Sequence, residues 1–313
     1  MKVLVTCPPM LKMIEDFYPI FKKSKIEITA PKVIQTLSVE ELCKIVPQHH
    51  GWIIGDDPAT REVFEAGKKG NLIAAVKWGV GVDNVDFKCC KDLAIPIVNT
   101  PNMFGNEVAD IAVGYLIALA RETFNIHNGV QRGEWPKPQG ISLDAKTVAI
   151  IGLGDIGLNV AKRLLSMGMK INGYDPAAKI PIEYKNKINH LTWPQNITEA
   201  DFIVITCALT ESSYHMINDN ILRMLKKGVR IVNVGRGPII DEISLEKGLK
   251  SEIVYSAALD VYEQEPLPME SYLRTHPRCI FGSHNASNTK DAVIKTSHIA
   301  IEKLLSFLKN AEN

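Results

Sequence analysis

The chain has 313 residues, 46% hydrophobic and 23% charged, the balance of a globular protein long enough for two domains and two sizeable cores. Its 36 lysines and arginines stand against 35 aspartates and glutamates without long runs of either sign, so nothing points to nucleic acid or an anionic membrane as partner. Small-molecule chemistry is the better expectation.

The N-terminus, MKVLVTCPPM, has an apolar run too short for a signal-peptide core. Six cysteines show no CxxC and no metal-ligand spacing, which predicts reduced thiols in a cytoplasmic protein. The eight histidines form no HxxxH-type pair with carboxylates, so no metal is expected.

Over the first hundred residues, short apolar runs at 3–6, 26–29, 52–54, 72–76 and 97–98 alternate with amphipathic stretches, which predicts a smaller α/β unit with a parallel sheet. Asn99-Thr100-Pro101-Asn102 breaks the pattern, and a helix follows over about 106–121. Its most apolar part, residues 111–120, is far shorter than the ~20 residues needed to span a bilayer and reads as a buried helix. Trp135-Pro136-Lys137-Pro138 is a stiff loop leading to the next strand.

That strand, residues 147–151, runs into Gly152-Leu153-Gly154-Asp155-Ile156-Gly157 and then a helix with Ile156, Val160, Leu164, Leu165 and Met167 near helical spacing. Gly152 makes the tight turn, Gly154 lets the backbone approach a pyrophosphate, and Gly157 lets helix and sheet pack closely, while the helix N-terminus offers N–H groups to the phosphates. A second strand, residues 169–174, ends at Asp175, eighteen residues beyond Gly157, where an acid accepts hydrogen bonds from the adenosine ribose and repels a 2′-phosphate. The cofactor predicted is NAD rather than NADP.

Three further buried strands, at 202–206, 230–234 and 255–261, extend this sheet to a doubly wound domain. The strand pattern ends near 282–287. A final amphipathic helix, 291–307, carries Val293, Ile294, His298, Ile301, Leu304 and Leu305 on one face and is expected to return to the first domain. Residues 101–284 then form a cofactor domain inserted into a domain made of 1–100 and 285–313.

Ligands of open α/β sheets bind beyond the carboxyl ends of the strands. There the sequence places Arg236 in Gly235-Arg236-Gly237, Glu265 after the strand at 255–261, and His284 after the apolar run ending at Phe281. This set suits hydride transfer to a 2-keto acid: the guanidinium grips a carboxylate or keto oxygen, a protonated imidazole donates to the oxygen, and the carboxylate orients the ring and raises its pKa.

VKWGVGVDNVD (76–86), NTPN (99–102), GLGDIG (152–157), GYDP (173–176), VNVGRGPIIDE (232–242), AALDVYEQEP (257–266) and HNAS (284–287) together resemble the D-isomer-specific 2-hydroxyacid dehydrogenases over nearly the whole chain. The resemblance implies a Rossmann NAD-binding domain inserted into a flavodoxin-like substrate domain, both doubly wound α/β, with Arg236, Glu265 and His284 as catalytic residues. It implies a cofactor site of Gly152, Gly154, Asp155, Ile156, Gly157, Asp175, Cys207, Val234, Asp260 and His284. On the substrate side it implies Lys77, Asn102, Arg236 and the backbone around Trp78, Gly79 and Val80. A homodimer through the cofactor domain is implied as well, with the helix at 106–121 and the Trp135 loop as candidate surface.

Within that family 3-phosphoglycerate is one candidate substrate; glyoxylate or hydroxypyruvate reduction is the alternative, and an NAD-responsive corepressor-like binding protein is the reading from another class. The chain departs from the family at several points. Ser283 precedes His284 where proline is frequent, and Ile205-Thr206-Cys207-Ala208-Leu209 replaces a usual histidine and proline. Gly55-Asp56-Asp57 and Lys77 stand near positions where phosphoglycerate enzymes carry arginines, and an acidic pair there opposes a phosphate.

Overall fold

The computed structural model describes residues 1–312 and resolves into two compact units, one made of Met1–Met103 with the segment from Asn288, the other of Phe104–Ser287. In the first, β1 (Lys2–Val5), α1 (Pro8–Leu11), α2 (Ile14–Lys23), β2 (Glu27–Thr29), α3 (Val39–Ile45), β3 (Gly51–Ile54), α4 (Arg61–Lys69), β4 (Ala74–Lys77), α5 (Phe87–Asp92) and β5 (Ile97–Asn99) follow in sequence. The strands are parallel, in the order β2-β1-β3-β4-β5. β3 and β4 are buried at every position, as strands covered by helices on both faces must be. Leu4, Trp52, Ile54 and Ala75 join Leu42, Val46, Val63 and Phe64 of the helical layer, and Leu72 of the segment before β4, in one core. Ile54 pairs with Lys77 and Lys77 with Asn99, so Gly55, Trp78 and Thr100 follow side by side at one edge.

The second unit opens with α6 (Gly105–Arg121) and α7 (Thr123–Gln131), then β6 (Thr147–Ile151), α8 (Asp155–Ser166), β7 (Lys170–Tyr174), β8 (Ile188–His190), β9 (Phe202–Ile205), α9 (Asp219–Met224), β10 (Val229–Asn233), α10 (Glu242–Lys250), β11 (Val254–Leu259) and β12 (Cys279–Phe281). Its seven parallel strands run β12-β11-β10-β9-β6-β7-β8, so the chain reverses direction between β6 and β9, the position where such sheets take ligands. The register sets Tyr174, Ile151, Ile205, Asn233, Leu259 and Phe281 level across the sheet. Asp175, Gly152, Thr206, Val234, Asp260 and Gly282 therefore form a single row just beyond it.

The chain ends in α11 (Lys290–Glu312), which packs on β3 and β4 of the first unit. Its buried stripe is Ala292, Val293, Thr296, Ser297, Ala300, Ile301, Leu304 and Leu308. His298, expected on that stripe, is exposed and makes a T-shaped contact with the Phe17 ring. Small polar Thr296 and Ser297 are what the close helix–sheet approach accepts.

α8 differs similarly from expectation: Gly157, Val160, Ala161 and Leu164 are buried, whereas Met167 is exposed. Two strands beyond those expected, β8 and β12, have three residues each, too few to show a period.

Candidate active site

The glycine turn is built as its sequence requires. Gly152 has φ +95°, and a Cβ there would lie 2.6 Å from the Cys207 nitrogen, so β6 can turn this close to the β9 loop only with glycine. At Gly157 a Cβ would come within 1.9 Å of the Gly152 carbonyl oxygen, which fixes the approach of α8 to the turn. A Cβ at Gly154 would meet no atom within 4 Å, so this glycine leaves room beside the α8 N-terminus rather than relieving an internal clash.

The residues around the turn fit a dinucleotide. Asp175 accepts from the Leu153 nitrogen at 2.8 Å through Oδ2 and from the Ala177 nitrogen at 2.8 Å through Oδ1, which fixes its carboxylate beside the glycine turn. The Thr206 hydroxyl donates to the Gly152 carbonyl at 2.8 Å, tying the loop after β9 to the turn. Cys207 follows it, its thiol pushed up to about 11 by burial and so held protonated at neutral pH. Asp155 and Ile156 open α8, and Val234 follows β10 with its N–H on the Ile205 carbonyl.

At the other end of the same row stand Arg236, Glu265 and His284, beyond the adjacent strands β10, β11 and β12. His284 Nδ1 lies 2.8 Å from Glu265 Oε2, and Glu265 Oε1 accepts from the Tyr262 nitrogen at 3.1 Å. His284 has φ +54°, a left-handed conformation that costs a non-glycine residue about 1–2 kcal/mol. Its N–H donates to the Asp260 carbonyl at 2.7 Å. The Asp260 carboxylate accepts from Asn285 and Ala286 nitrogens at 3.2 and 2.9 Å, so the residues that follow His284 fold around it. Burial pushes the Asp260 carboxyl upward against the pull of those two N–H groups.

The Tyr262 hydroxyl, bonded to the carbonyls of Leu259 and Gly282, ties the Glu265 loop to the His284 loop. Arg236 is fixed through its backbone: Asn233 Nδ2 donates to the Arg236 carbonyl at 2.9 Å, and Asn233 Oδ1 accepts from the Gly235 nitrogen at 3.0 Å. Its guanidinium Nη1 donates to the Gly235 carbonyl at 2.9 Å.

In the first unit the expected substrate residues are less available than their sequence suggests. The Trp78 N–H donates to the Ile54 carbonyl at 2.9 Å and the Gly79 N–H to the Thr100 hydroxyl at 2.7 Å. Both N–H groups have acceptors within the unit, whereas Val80 is exposed. Lys77 is buried, with Nζ on the Gly55 carbonyl, Asp56 Oδ1 and the Trp78 carbonyl at 2.7, 3.0 and 3.1 Å. Its three ammonium protons thus all have acceptors inside the unit. Asn102 is exposed and left-handed, with φ +57°.

One grouping was invisible to sequence spacing. His215 Nε2 lies 2.5 Å from Glu263 Oε1, and with an Asp241 carboxylate oxygen the three potential metal-ligand atoms fall within 4.8 Å of one another. The absence of HxxxH spacing therefore did not exclude such a set. Asp241 also caps α10 through the Ile243 nitrogen, and Glu242 accepts from the Glu263 nitrogen at 2.8 Å. The group works as a clasp on the loop that carries Glu265.

Residues 113–286 match the family model described as D-isomer specific 2-hydroxyacid dehydrogenase, NAD binding domain. The chain is 35% identical over 298 residues to a hydroxypyruvate reductase of Thermotoga maritima, covering 92% of this chain and 93% of that protein. It is 34% identical over its whole length to a D-3-phosphoglycerate dehydrogenase of Methanocaldococcus jannaschii, of which it spans 59%. A formate dehydrogenase of Staphylococcus aureus, solved with NAD, superposes with TM-score 0.85 at 26% identity, covering 100% of this chain and 97% of that one.

Proposed function

The chain belongs to the D-isomer-specific 2-hydroxyacid dehydrogenases, NAD-dependent oxidoreductases of CH–OH donors, and from that premise we propose that Arg236, Glu265 and His284 carry out its reaction on a small 2-keto or 2-hydroxy acid. When bound, NAD supplies or accepts the hydride. The observation that carries the reading is the 2.8 Å contact of His284 Nδ1 with Glu265 Oε2, beyond the strand next to the one that presents Arg236.

A carboxylate on Nδ1 keeps the proton there and stabilises the doubly protonated ring, which leaves Nε2 to give a proton to the keto oxygen, or to take one from the hydroxyl in reverse. Arg236 supplies a fixed cation with planar, paired donors for the substrate carboxylate. The Gly152 turn, the α8 N-terminus and Asp175 would hold the dinucleotide, and Asp260 would meet its nicotinamide amide. His284→Ala is expected to lower turnover about 100-fold or more while NADH still binds. Unchanged turnover in that variant would remove His284 from the mechanism.

We also infer a homodimer formed through the second unit. Ile111, Phe124, Val130 and Trp135 are exposed on the α6–α7 segment and the loop after it, Trp135 at 77% of its surface, an apolar set that association would cover. Light scattering should give twice the chain mass, and Trp135→Ser should shift the equilibrium toward monomer. A single-chain mass for the wild type at micromolar concentration would rule this out. A cytoplasmic location is consistent with six cysteines that form no disulfide. Among the described residues no helix is long and apolar enough to cross a membrane.

A further inference from the structure

β7 ends at Tyr174, and Asp175 leads from it into Pro176. Proline has no N–H, so the peptide unit joining Asp175 to Pro176 can be hydrogen-bonded only through the Asp175 carbonyl oxygen. A ring from the neighbouring strand reaches that oxygen: His190 Nε2 lies 2.7 Å from it, closer than the Ala178 nitrogen at 3.4 Å. A carbonyl only accepts, so Nε2 carries the proton of this bond.

The sheet explains why a side chain takes this place. β8 pairs with β7 through Ile188, Asn189 and His190, the last level with Gly173, and the Leu191 nitrogen donates to the Gly173 carbonyl at 2.9 Å. The next main-chain donor in register would be the Trp193 nitrogen, opposite the Asp175 carbonyl, but the chain turns first, with the Gln195 nitrogen on the Thr192 carbonyl at 2.8 Å. Trp193 instead meets the Tyr174 ring in a T-shaped contact at 5.2 Å, and the Tyr174 hydroxyl donates to the Gln195 carbonyl at 2.7 Å. Residues 190–195 therefore grip the end of β7 at its last side chain and at the carbonyl just beyond it. His190 is itself exposed, so its ring adds little to the core. What it fixes is the residue whose carboxylate accepts from the Leu153 and Ala177 nitrogens beside the glycine turn.

We propose, resting on the reading of Asp175 as the acceptor for the adenosine ribose, that His190 is a positioning residue for the cofactor. By holding the Asp175–Pro176 peptide through its carbonyl, it fixes the backbone from which the Asp175 carboxylate projects, and so sets both the affinity for NADH and the preference for NADH over NADPH. Without this anchor the carboxylate meets the ribose less often in the bonded direction and can swing away from a 2′-phosphate.

The test measures the Kd of NADH by its fluorescence, and kcat and KM for NADH and NADPH, in the wild type, His190→Ala, His190→Asn, His190→Gln and Asp175→Ser. The Ala and Asn variants are expected to raise the Kd and KM of NADH about fivefold, the worth of one hydrogen bond, and to narrow the NADH preference by a similar factor, with kcat moving by less than about twofold. Glutamine can set its amide nitrogen near the place of imidazole Nε2, whereas asparagine is too short, so His190→Gln should stay close to the wild type. Melting midpoints should agree within about 3 °C, because an exposed ring is removed. An unchanged Kd in the Ala and Asn variants, or a loss in the Gln variant as large as theirs, would overturn the role of His190; the ribose reading would stand if Asp175→Ser still weakened NADH. No effect of the His190 or the Asp175 substitutions on NADH would overturn both.

Discussion

Asp175 is a side chain whose direction the backbone fixes. Each carboxylate oxygen already accepts a backbone N–H, from Leu153 and Ala177, so its direction is set by the chain rather than by solvent. On the proposed reading a ribose diol would meet an acceptor held in place, whereas a 2′-phosphate would meet a fixed negative charge. Asp175→Ser should lower the preference for NADH over NADPH, measured as the ratio of kcat/KM values, by about 100-fold, because removal of a like charge from a phosphate is worth several kcal/mol. A wild-type enzyme that used NADPH as well as NADH would show that this carboxylate does not choose the cofactor. The place of Asp175 beside the glycine turn was legible in the sequence because it depends on a spacing from Gly157 that strand and helix lengths dictate. Lys77 was not. Its removal from solvent depends on Gly55, Asp56 and Trp78, and on a β3–β4 register that only the folded sheet brings about.

Among the elements, those with a long period or a steric requirement were readable. The residues at 147–151 are an uninterrupted run of β-formers, and of the glycines after them Gly157 answers to a contact within the same turn, where a Cβ would lie 1.9 Å from the Gly152 carbonyl oxygen. The expectation of two doubly wound parallel sheets was met for the same reason: alternating strands and amphipathic helices leave few other topologies. β8 escaped notice because Ile188-Asn189-His190 has one buried residue and two exposed ones, a pattern shared by many loops. The α11 face was misjudged where hydrophobicity and burial part company. Ser297 is buried because its oxygen accepts from Trp78 Nε1 at 3.1 Å, while His298 beside it faces out. The catalytic candidates fall between these cases. Arg236, Glu265 and His284 could be named from their places after strands, but the Tyr262 and His215–Glu263 contacts that hold the Glu265 loop join segments far apart in sequence.

For the molecule as a whole, the two units make opposite demands on the chain. The second is continuous from Phe104 to Ser287, with its own seven-stranded sheet and core. The first is complete only when α11 covers β3 and β4, where Leu304 lies 3.1 Å from the place a Gly51 Cβ would take. Burial of Val293, Ile301, Leu304 and Leu308 contributes about 1.5–3 kcal/mol each, comparable in sum with the whole stability of a domain at about 5–15 kcal/mol. A chain of residues 104–287 is accordingly expected to unfold cooperatively on its own and to bind NADH. Residues 1–103 alone should show no cooperative transition, and joining 288–312 through a flexible glycine-serine linker to the front of 1–103 should restore one. Circular dichroism melts of the three polypeptides decide the matter. A cooperative melt for residues 1–103 without α11 would show that the helix is an accessory to this sheet, and the return of the chain from the second unit would then need another explanation than stability.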